Sequence, residues 1–140
     1  MRYVLDTNVV VAALRSPKGA SAALIESAFD GAFTPVLSVP LVLEYEAVTS
    51  DPAQRIESGL SIEQVRTVVT ALCAVGDPVE AHYLWRPQLR DPADEMVLEA
   101  AINGQADALV TFNVRDFGKA PEQFGIALIS PQEALRRIKT

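Results

Sequence analysis

Four short, largely apolar segments, separated by helix-favouring stretches, constrain the fold of this chain more than any other feature of the sequence. The segments are residues 4–5, 34–39, 108–111 and 126–129. Short apolar runs of this kind are typical of parallel strands whose two faces are both covered by helices. Strands that alternate with helices need crossover connections, which place a parallel sheet between two helical layers. The sequence therefore predicts an α/β fold, a three-layer α/β/α sandwich with a central parallel sheet of four to five strands.

The stretches between these segments carry signals for helix ends. Residues 20–29 favour a helix that stops near the following glycine, and residues 61–64 form a capping box. Asp91, followed by proline, predicts another helix start, and Gly104 predicts its end. Ser130, also followed by proline, predicts the start of the last helix. We therefore expect helices to form the crossover connections between the strands.

The length and composition are those of one compact domain, which we expect to span residues 1–140. No apolar run reaches the roughly 18–20 residues that cross a bilayer, so we expect no membrane partner. The apolar opening of the chain is too short for the core of a signal peptide. The single cysteine, Cys73, has apolar neighbours that indicate a buried thiol. We therefore expect a cytoplasmic protein.

Acidic residues occupy the places that a parallel sheet brings to one edge. Asp6 directly follows the first apolar segment, and Glu44 lies near the start of the helix after the second. Asp94 lies in the first turn of the helix that Asp91 starts, and Asp116 follows the third segment. Strand ends and helix starts meet in the crevice where α/β proteins bind ligands. Carboxylates gathered there repel one another unless a cation lies among them, and they are ligands that hard divalent cations such as Mg²⁺ prefer.

Each acidic position also has an ordinary structural explanation. Asp6 could cap the helix that follows it, and Glu44 could be a solvated surface residue. Asp91 and Asp94 could complement the dipole of their helix. Glu95 adds a third acid to that turn, where three carboxylates repel one another more than capping requires. The joint placement of the acids, rather than any single one, indicates a divalent metal site.

The net charge of −6 does not by itself exclude a nucleic-acid substrate, although nucleic acid is bound mainly by lysine and arginine. If the acids named above surround metal ions, the rest of the surface is close to neutral. Other chemistries have little support: a single histidine and a single cysteine leave little for a zinc site or a Cys–His pair. No glycine-rich phosphate loop follows a strand.

Four motifs, in order along the chain, resemble those of the PIN-domain family of metal-dependent ribonucleases. The resemblance is closest to the VapC-like toxins of bacterial toxin–antitoxin pairs, and it runs from Tyr3 to about Pro131. The motifs are Asp6-Thr7-Asn8; Ser38 with Glu44 six residues later; residues 90–95, in which Asp94 takes the metal-binding position; and residues 106–111 followed by Asn113 and Asp116.

The resemblance implies a PIN-like sandwich, Mg²⁺ or Mn²⁺ as cofactor, endonucleolytic cleavage of RNA, frequent homodimers and a cognate antitoxin that blocks the site. On this interpretation the catalytic and metal-binding residues are Asp6, Glu44, Asp94 and Asp116, with Asp91 and Asn113 in support. Thr7 or Thr111 would orient a water molecule or brace a carboxylate, beside the amide of Asn8. The candidate phosphate contacts are the basic residues nearest the motifs: Arg15, Lys18, Arg115 and Lys119.

One departure from the family pattern leaves alternatives open. Many members have an acid where this chain has Asn113, which can coordinate through its carbonyl oxygen but adds no charge. Asp116, three residues on, can supply the missing carboxylate from the same helix face. A PIN-fold module that binds RNA or a partner without cutting is therefore an alternative. A phosphatase of the haloacid dehalogenase type is a weaker one, since that family needs an acid where Asn8 stands.

Overall fold

Five parallel strands form one sheet in the computed structural model, which describes residues 1–80, 89 and 91–139. The strands are β1 (Arg2–Leu5), β2 (Thr34–Leu37), β3 (Asp77–Pro78), β4 (Ala108–Val110) and β5 (Ala127–Ile129). Their order across the sheet is β3-β2-β1-β4-β5, and every neighbouring pair is parallel. The predicted α/β class with a parallel sheet of four to five strands is confirmed.

Helices connect the strands and pack on the sheet. Within the described ranges they are α1 (Thr7–Arg15), α2 (Ala20–Phe29), α3 (Val39–Ser50), α4 (Pro52–Ser58), α5 (Ile62–Val75), α6 (Pro92–Asn103), α7 (Val114–Phe117), α8 (Ala120–Gln123) and α9 (Pro131–Lys139). The capping box forms at α5, where Ser61 and Gln64 exchange hydrogen bonds. Asp91 caps α6 by accepting the Ala93 N–H at 2.9 Å. None of these helices combines the length and the apolar content needed to cross a bilayer.

The edge strand β3 is the strand that the sequence does not mark. It has two residues, one of which is proline, so no apolar run announces it. Arg2 holds it in place, because its Nη1 atom lies 2.8 Å from the Asp77 Oδ2 atom. The same guanidinium donates two hydrogen bonds to the Gly104 carbonyl oxygen, at 3.0 and 2.8 Å. One side chain therefore ties β1, β3 and the end of α6 together at the amino-terminal edge of the sheet.

The core lies on both faces of the sheet, as expected for a parallel sheet between helices. Tyr3, Val4, Val36, Leu109 and Val110 are completely or almost completely buried. Cys73 differs from the expectation: it is exposed, whereas the buried residues of α5 are Val65, Val69 and Leu72.

Candidate active site

The register of the sheet places Asp6 beside Thr111 at the carboxyl-terminal edge. Leu5 pairs with Val110, and the Asp6 N–H donates to the Val110 carbonyl oxygen at 2.9 Å. The Thr111 hydroxyl donates to Asp6 Oδ2 at 2.7 Å. Thr111 is fully buried and Asp6 is 7% exposed. The carboxylate of Asp6 is therefore held in one orientation by a buried hydroxyl from the neighbouring strand.

The side chain of Asp6 does not cap the helix that follows it, contrary to the structural explanation considered above. Asp6 precedes α1 in the N-cap position, but its carboxylate makes no capping hydrogen bond to that helix. Asn113 likewise precedes α7 without a capping bond from its side chain. Capping is realised at Asp91, whose carboxylate accepts the Ala93 N–H. The side chains of Asp6 and Asn113 are thus available for another role.

Thr111 connects the two segments that carry the first and fourth motifs. Besides donating to Asp6, its hydroxyl oxygen accepts the Asn113 N–H at 2.9 Å and the Asn8 side-chain amide at 3.4 Å. The carbonyl oxygen of the Asn8 side chain is buried, with no hydrogen-bond partner in the described part of the protein. The first and fourth motifs are therefore joined through one hydroxyl group.

A cleft of about 560 Å³ opens between the start of α6 and the segment of α7 and α8. Three carboxylates line it, those of Asp91, Asp94 and Asp116, together with the cations Arg115 and Lys119. Neither cation forms an ion pair with any residue that the structure describes. The cleft therefore contains three negative charges and two positive charges that form no ion pair with the described residues.

Asp6 and the cleft acids act on one another electrostatically. Burial raises the pKa of Asp94 to about 6, and the negative charges of Asp6, Asp91 and Asp116 contribute in the same direction. Burial also raises the pKa of Asp6; the Thr111 hydroxyl and the Thr7 backbone N–H oppose this effect, while Asp116 and Asp91 reinforce it. Four of the predicted site acids therefore lie within electrostatic reach of one another, in an arrangement that a cation would stabilise.

Among the described residues, no interaction joins Glu44 to this group. It is partly buried in α3, makes no hydrogen bond or ion pair with the described residues, and does not line the cleft. Its neighbour Tyr45 is buried and donates its hydroxyl to the Leu5 carbonyl oxygen, which ties α3 to the end of β1. Burial, followed by the charge of Asp6, raises the pKa of Tyr45.

Glu95 has a role that the sequence pattern did not reveal. It is 3% exposed, so it turns into the protein rather than towards the cleft. Its Oε1 atom accepts the backbone N–H of Leu89, a residue that lines the cleft. The repulsion predicted among three acids in this turn therefore involves Asp91 and Asp94, while Glu95 holds the backbone N–H of Leu89.

The predicted basic contacts divide into two groups. Arg115 and Lys119 line the cleft, whereas Arg15 lies at the opposite end of α1 from Thr7, roughly 12 Å along the helix axis. There the Arg15 Nη2 atom is 3.8 Å from Glu57 Oε2. Lys18 follows α1 and is exposed. Of these four basic residues, Arg115 and Lys119 are the two that share the cleft with the acids.

The oxygen atoms at this site are of the kind that binds a hard divalent cation. It offers several carboxylates that repel one another and the buried, unpartnered carbonyl oxygen of Asn8. Among the described residues, however, no three acidic, histidine or cysteine side chains lie close enough together to enclose a metal ion. Mg²⁺ needs only one or two carboxylates, because it retains several waters and binds substrate phosphate.

Comparison with known proteins decides the family. The PIN domain family matches residues 2–115, most of the chain. The chain belongs to the PIN-domain family. This PIN domain is also similar to a chain in the crystal structure of VapBC2 from Rickettsia felis bound to a DNA fragment from their promoter. The TM-score is 0.65 at 17% sequence identity, over 93% of this chain and 98% of that chain. At this identity the likeness shows a shared fold; no curated protein matches the chain by sequence.

The raised pKa of Asp94 predicts a pH-dependent gain in stability when its charge is removed from the metal-free PIN domain. The folded state binds the Asp94 proton more tightly than the unfolded state does, since the pKa is about 6 when folded and 3.8 in the reference state. The stabilisation from this proton is therefore present below pH 4 and is lost as the pH rises through 6. We expect Asp94→Asn to raise the free energy of unfolding by about 1–2 kcal/mol at pH 7, less than the full pKa shift implies because Asp94 is partly exposed.

Urea denaturation in EDTA at pH 4 and pH 7 measures this effect. The gain should shrink to nearly zero at pH 4, where the wild-type carboxyl is also uncharged. A loss of stability at pH 7, or an equal gain at both pH values, would show that Asp94 is not held in an unfavourable electrostatic environment.

Proposed function

We propose that this PIN domain is a Mg²⁺- or Mn²⁺-dependent endoribonuclease and the toxin of a toxin–antitoxin pair, acting in the cytoplasm. The observation that carries the proposal is that Asp91, Asp94 and Asp116 line one cleft. Asp6 is close enough for its charge to raise the pKa of Asp94. The residues that would hold the metal and act in catalysis are Asp6, Glu44, Asp94 and Asp116, with Asp91 and Asn113 in support.

The roles of the protein's own residues follow from their positions. A bound divalent cation would acidify a water molecule and stabilise the charge that develops on the leaving oxygen. Thr111 holds the Asp6 carboxylate in a fixed orientation, so this ligand is preorganised for the cation. Arg115 and Lys119 supply positive charge at the cleft, where they bind the phosphates of the RNA backbone. Thr7 and Asn8 belong to the same edge and complete the surface that contacts the substrate.

A protein partner is part of the proposal. The similar Rickettsia felis structure contains VapBC2, and we propose a cognate antitoxin and a homodimer for this chain. An apolar depression of about 230 Å³ at the start of α3 supports a protein contact. Val39 and Leu43, at its rim, are 73% and 60% exposed, which is unusual for aliphatic side chains that have no covering partner.

Incubation of the purified protein with RNA tests the proposed activity. With Mg²⁺ we expect internal cleavage of the RNA, loss of cleavage when EDTA is added, and recovery when Mg²⁺ is restored in excess. RNA that stays intact with either Mg²⁺ or Mn²⁺, or cleavage that continues in EDTA, would contradict the proposal. DNA of the same sequence is the substrate control, since a ribonuclease should leave it intact.

A PIN-fold module that binds RNA or a partner without cutting is the second candidate. Two features favour it: among the described residues no three acidic, histidine or cysteine side chains are close enough together to hold a metal ion, and Asn113 is neutral where the resemblance leads one to expect an acid. This candidate predicts RNA binding with no cleavage under any metal condition, and it is distinguished from the first by the metal titration described in the Discussion.

A further inference from the structure

An exposed aromatic residue directly follows Thr111, the residue whose hydroxyl bonds the Asp6 carboxylate. In the part of the chain that the structure describes, most aromatic side chains are at least partly buried, as Tyr3, Tyr45 and Phe117 are. Two phenylalanines are exposed: Phe29, which is 39% exposed at the end of α2, and Phe112, which is 46% exposed. Phe112 lies between Thr111 and Asn113, two residues of the hydrogen-bonded group around Asp6.

The backbone on both sides of Phe112 is fixed. The Thr111 N–H donates to the Ile129 carbonyl oxygen at 3.0 Å, and the Asn113 N–H donates to the Thr111 hydroxyl oxygen at 2.9 Å. The Cα atom of Phe112 is therefore about 3.8 Å from the Cα atoms of two anchored residues. A ring on such a segment is presented at a defined place next to the site, so a ligand that binds it does not have to order the loop first.

Basic side chains follow Phe112 within the same segment. Arg115 and Lys119 are exposed, line the acidic cleft and form no ion pair with the residues described. An exposed aromatic ring combined with unpaired cations is the pattern by which proteins hold single-stranded nucleic acid: the cations track the backbone and the ring stacks on a base.

We propose that Phe112 is the stacking platform for a nucleobase of the RNA that enters the acidic cleft, while Arg115 and Lys119 hold the adjoining phosphates. This inference rests on the proposed function, because it assigns the contact made by the same substrate. Stacking needs a base whose face is free. A nucleotide paired within a duplex cannot use Phe112, so the contact contributes to single-stranded RNA alone.

Binding of a labelled single-stranded RNA oligonucleotide, followed by fluorescence anisotropy, tests the platform. All variants are made in an Asp94→Asn background, so that the RNA is not cut during the measurement. We expect Phe112→Ala to weaken binding about 10-fold or more, and Phe112→Tyr to bind like the parent. Phe29→Ala is the matched control, since it removes an exposed ring at the end of α2, and it should leave binding unchanged.

Oligonucleotides with a single abasic position identify the stacked base. At one position the missing base should weaken binding by the parent as much as Phe112→Ala does, and it should cause no further loss in Phe112→Ala itself. This absence of additivity is the expected sign that ring and base form one contact. Binding to a duplex of the same sequence should not depend on Phe112.

The inference is wrong if Phe112→Ala binds single-stranded RNA like the parent. It is also wrong if no abasic position reproduces the loss of affinity seen in Phe112→Ala, or if Phe112→Ala loses only the binding of a protein partner. The proposed function fails separately, when the wild-type protein cuts no RNA. In that case the Phe112-dependent binding of single-stranded RNA would still be observed if the platform exists.

Discussion

Asp6→Asn is expected to lower RNA cleavage by at least about 100-fold, the size of effect seen when one charge-stabilising group is removed from an active site. The substitution keeps the shape of the side chain, and its amide oxygen can still accept the Thr111 hydroxyl that now bonds Asp6 Oδ2 at 2.7 Å. What it removes is the negative charge at the centre of the coupled acids. Because burial and neighbouring acids already raise the pKa of Asp6, loss of this charge should not destabilise the fold.

The control for Asp6→Asn is Asp30→Asn, the same chemical change at an exposed residue after α2. Cleavage rates are measured with Mg²⁺ and stability is measured by urea denaturation, both for the wild type and for the two variants. We expect Asp30→Asn to cleave at the wild-type rate. If the two variants cleave alike, or if Asp6→Asn loses activity only because it unfolds, Asp6 does not have the role assigned to it.

Gly104→Ala is expected to destabilise the protein by about 2–3 kcal/mol. An added Cβ atom would lie 2.3 Å from Val36 Cγ1 and 2.9 Å from the Ala100 carbonyl oxygen. Val36 is completely buried in β2, so it cannot move aside without disturbing the core. The Gly104 carbonyl oxygen also accepts both hydrogen bonds from the Arg2 guanidinium, so a shift of this backbone would weaken the junction of β1, β3 and α6.

Gly59→Ala provides the comparison for Gly104→Ala. Gly59 has a φ of +74° and nothing within 4 Å of an added Cβ, so alanine there meets backbone strain but no clash. That strain costs about 1 kcal/mol. Chemical denaturation should therefore show a larger loss for Gly104→Ala, and RNA cleavage per folded molecule should stay normal because Gly104 lies at the opposite sheet edge from Asp6. Equal losses would show that the core around Val36 can relax.

Local sequence signals correctly predicted the helix starts and the strand that depend on neighbouring residues alone. The cap at Asp91, the capping box at residues 61–64 and the strand near residues 108–111 all form where expected, although that strand ends one residue earlier. The edge strand β3 is held by Arg2, a residue 75 positions away from Asp77, and no local pattern records such a contact. Cys73 was wrongly expected to be buried because its apolar neighbours do not show which face of α5 turns inward.

The sequence predicted which acids lie near one another better than it predicted the contacts that hold them. Spacing along the chain placed Asp6, Asp94 and Asp116 at one edge, and the electrostatic coupling among them agrees with that placement. The bond between Thr111 and Asp6 spans 105 residues and depends on the register of β1 and β4, which the sequence does not specify. The inward turn of Glu95, whose carboxylate accepts the Leu89 N–H, is not marked by any local pattern. The assignment of Glu44 as a metal ligand stays a prediction.

Titration of the purified protein with Mn²⁺, followed by calorimetry, tests the central claim most directly, because it detects the proposed metal site without depending on the choice of RNA. We expect specific binding to the wild type and to Asp30→Asn, and loss of that binding in Asp94→Asn. Wild-type protein that binds no Mn²⁺, or Asp94→Asn that binds it as tightly as the wild type, would contradict the claim that these coupled acids form a divalent metal site.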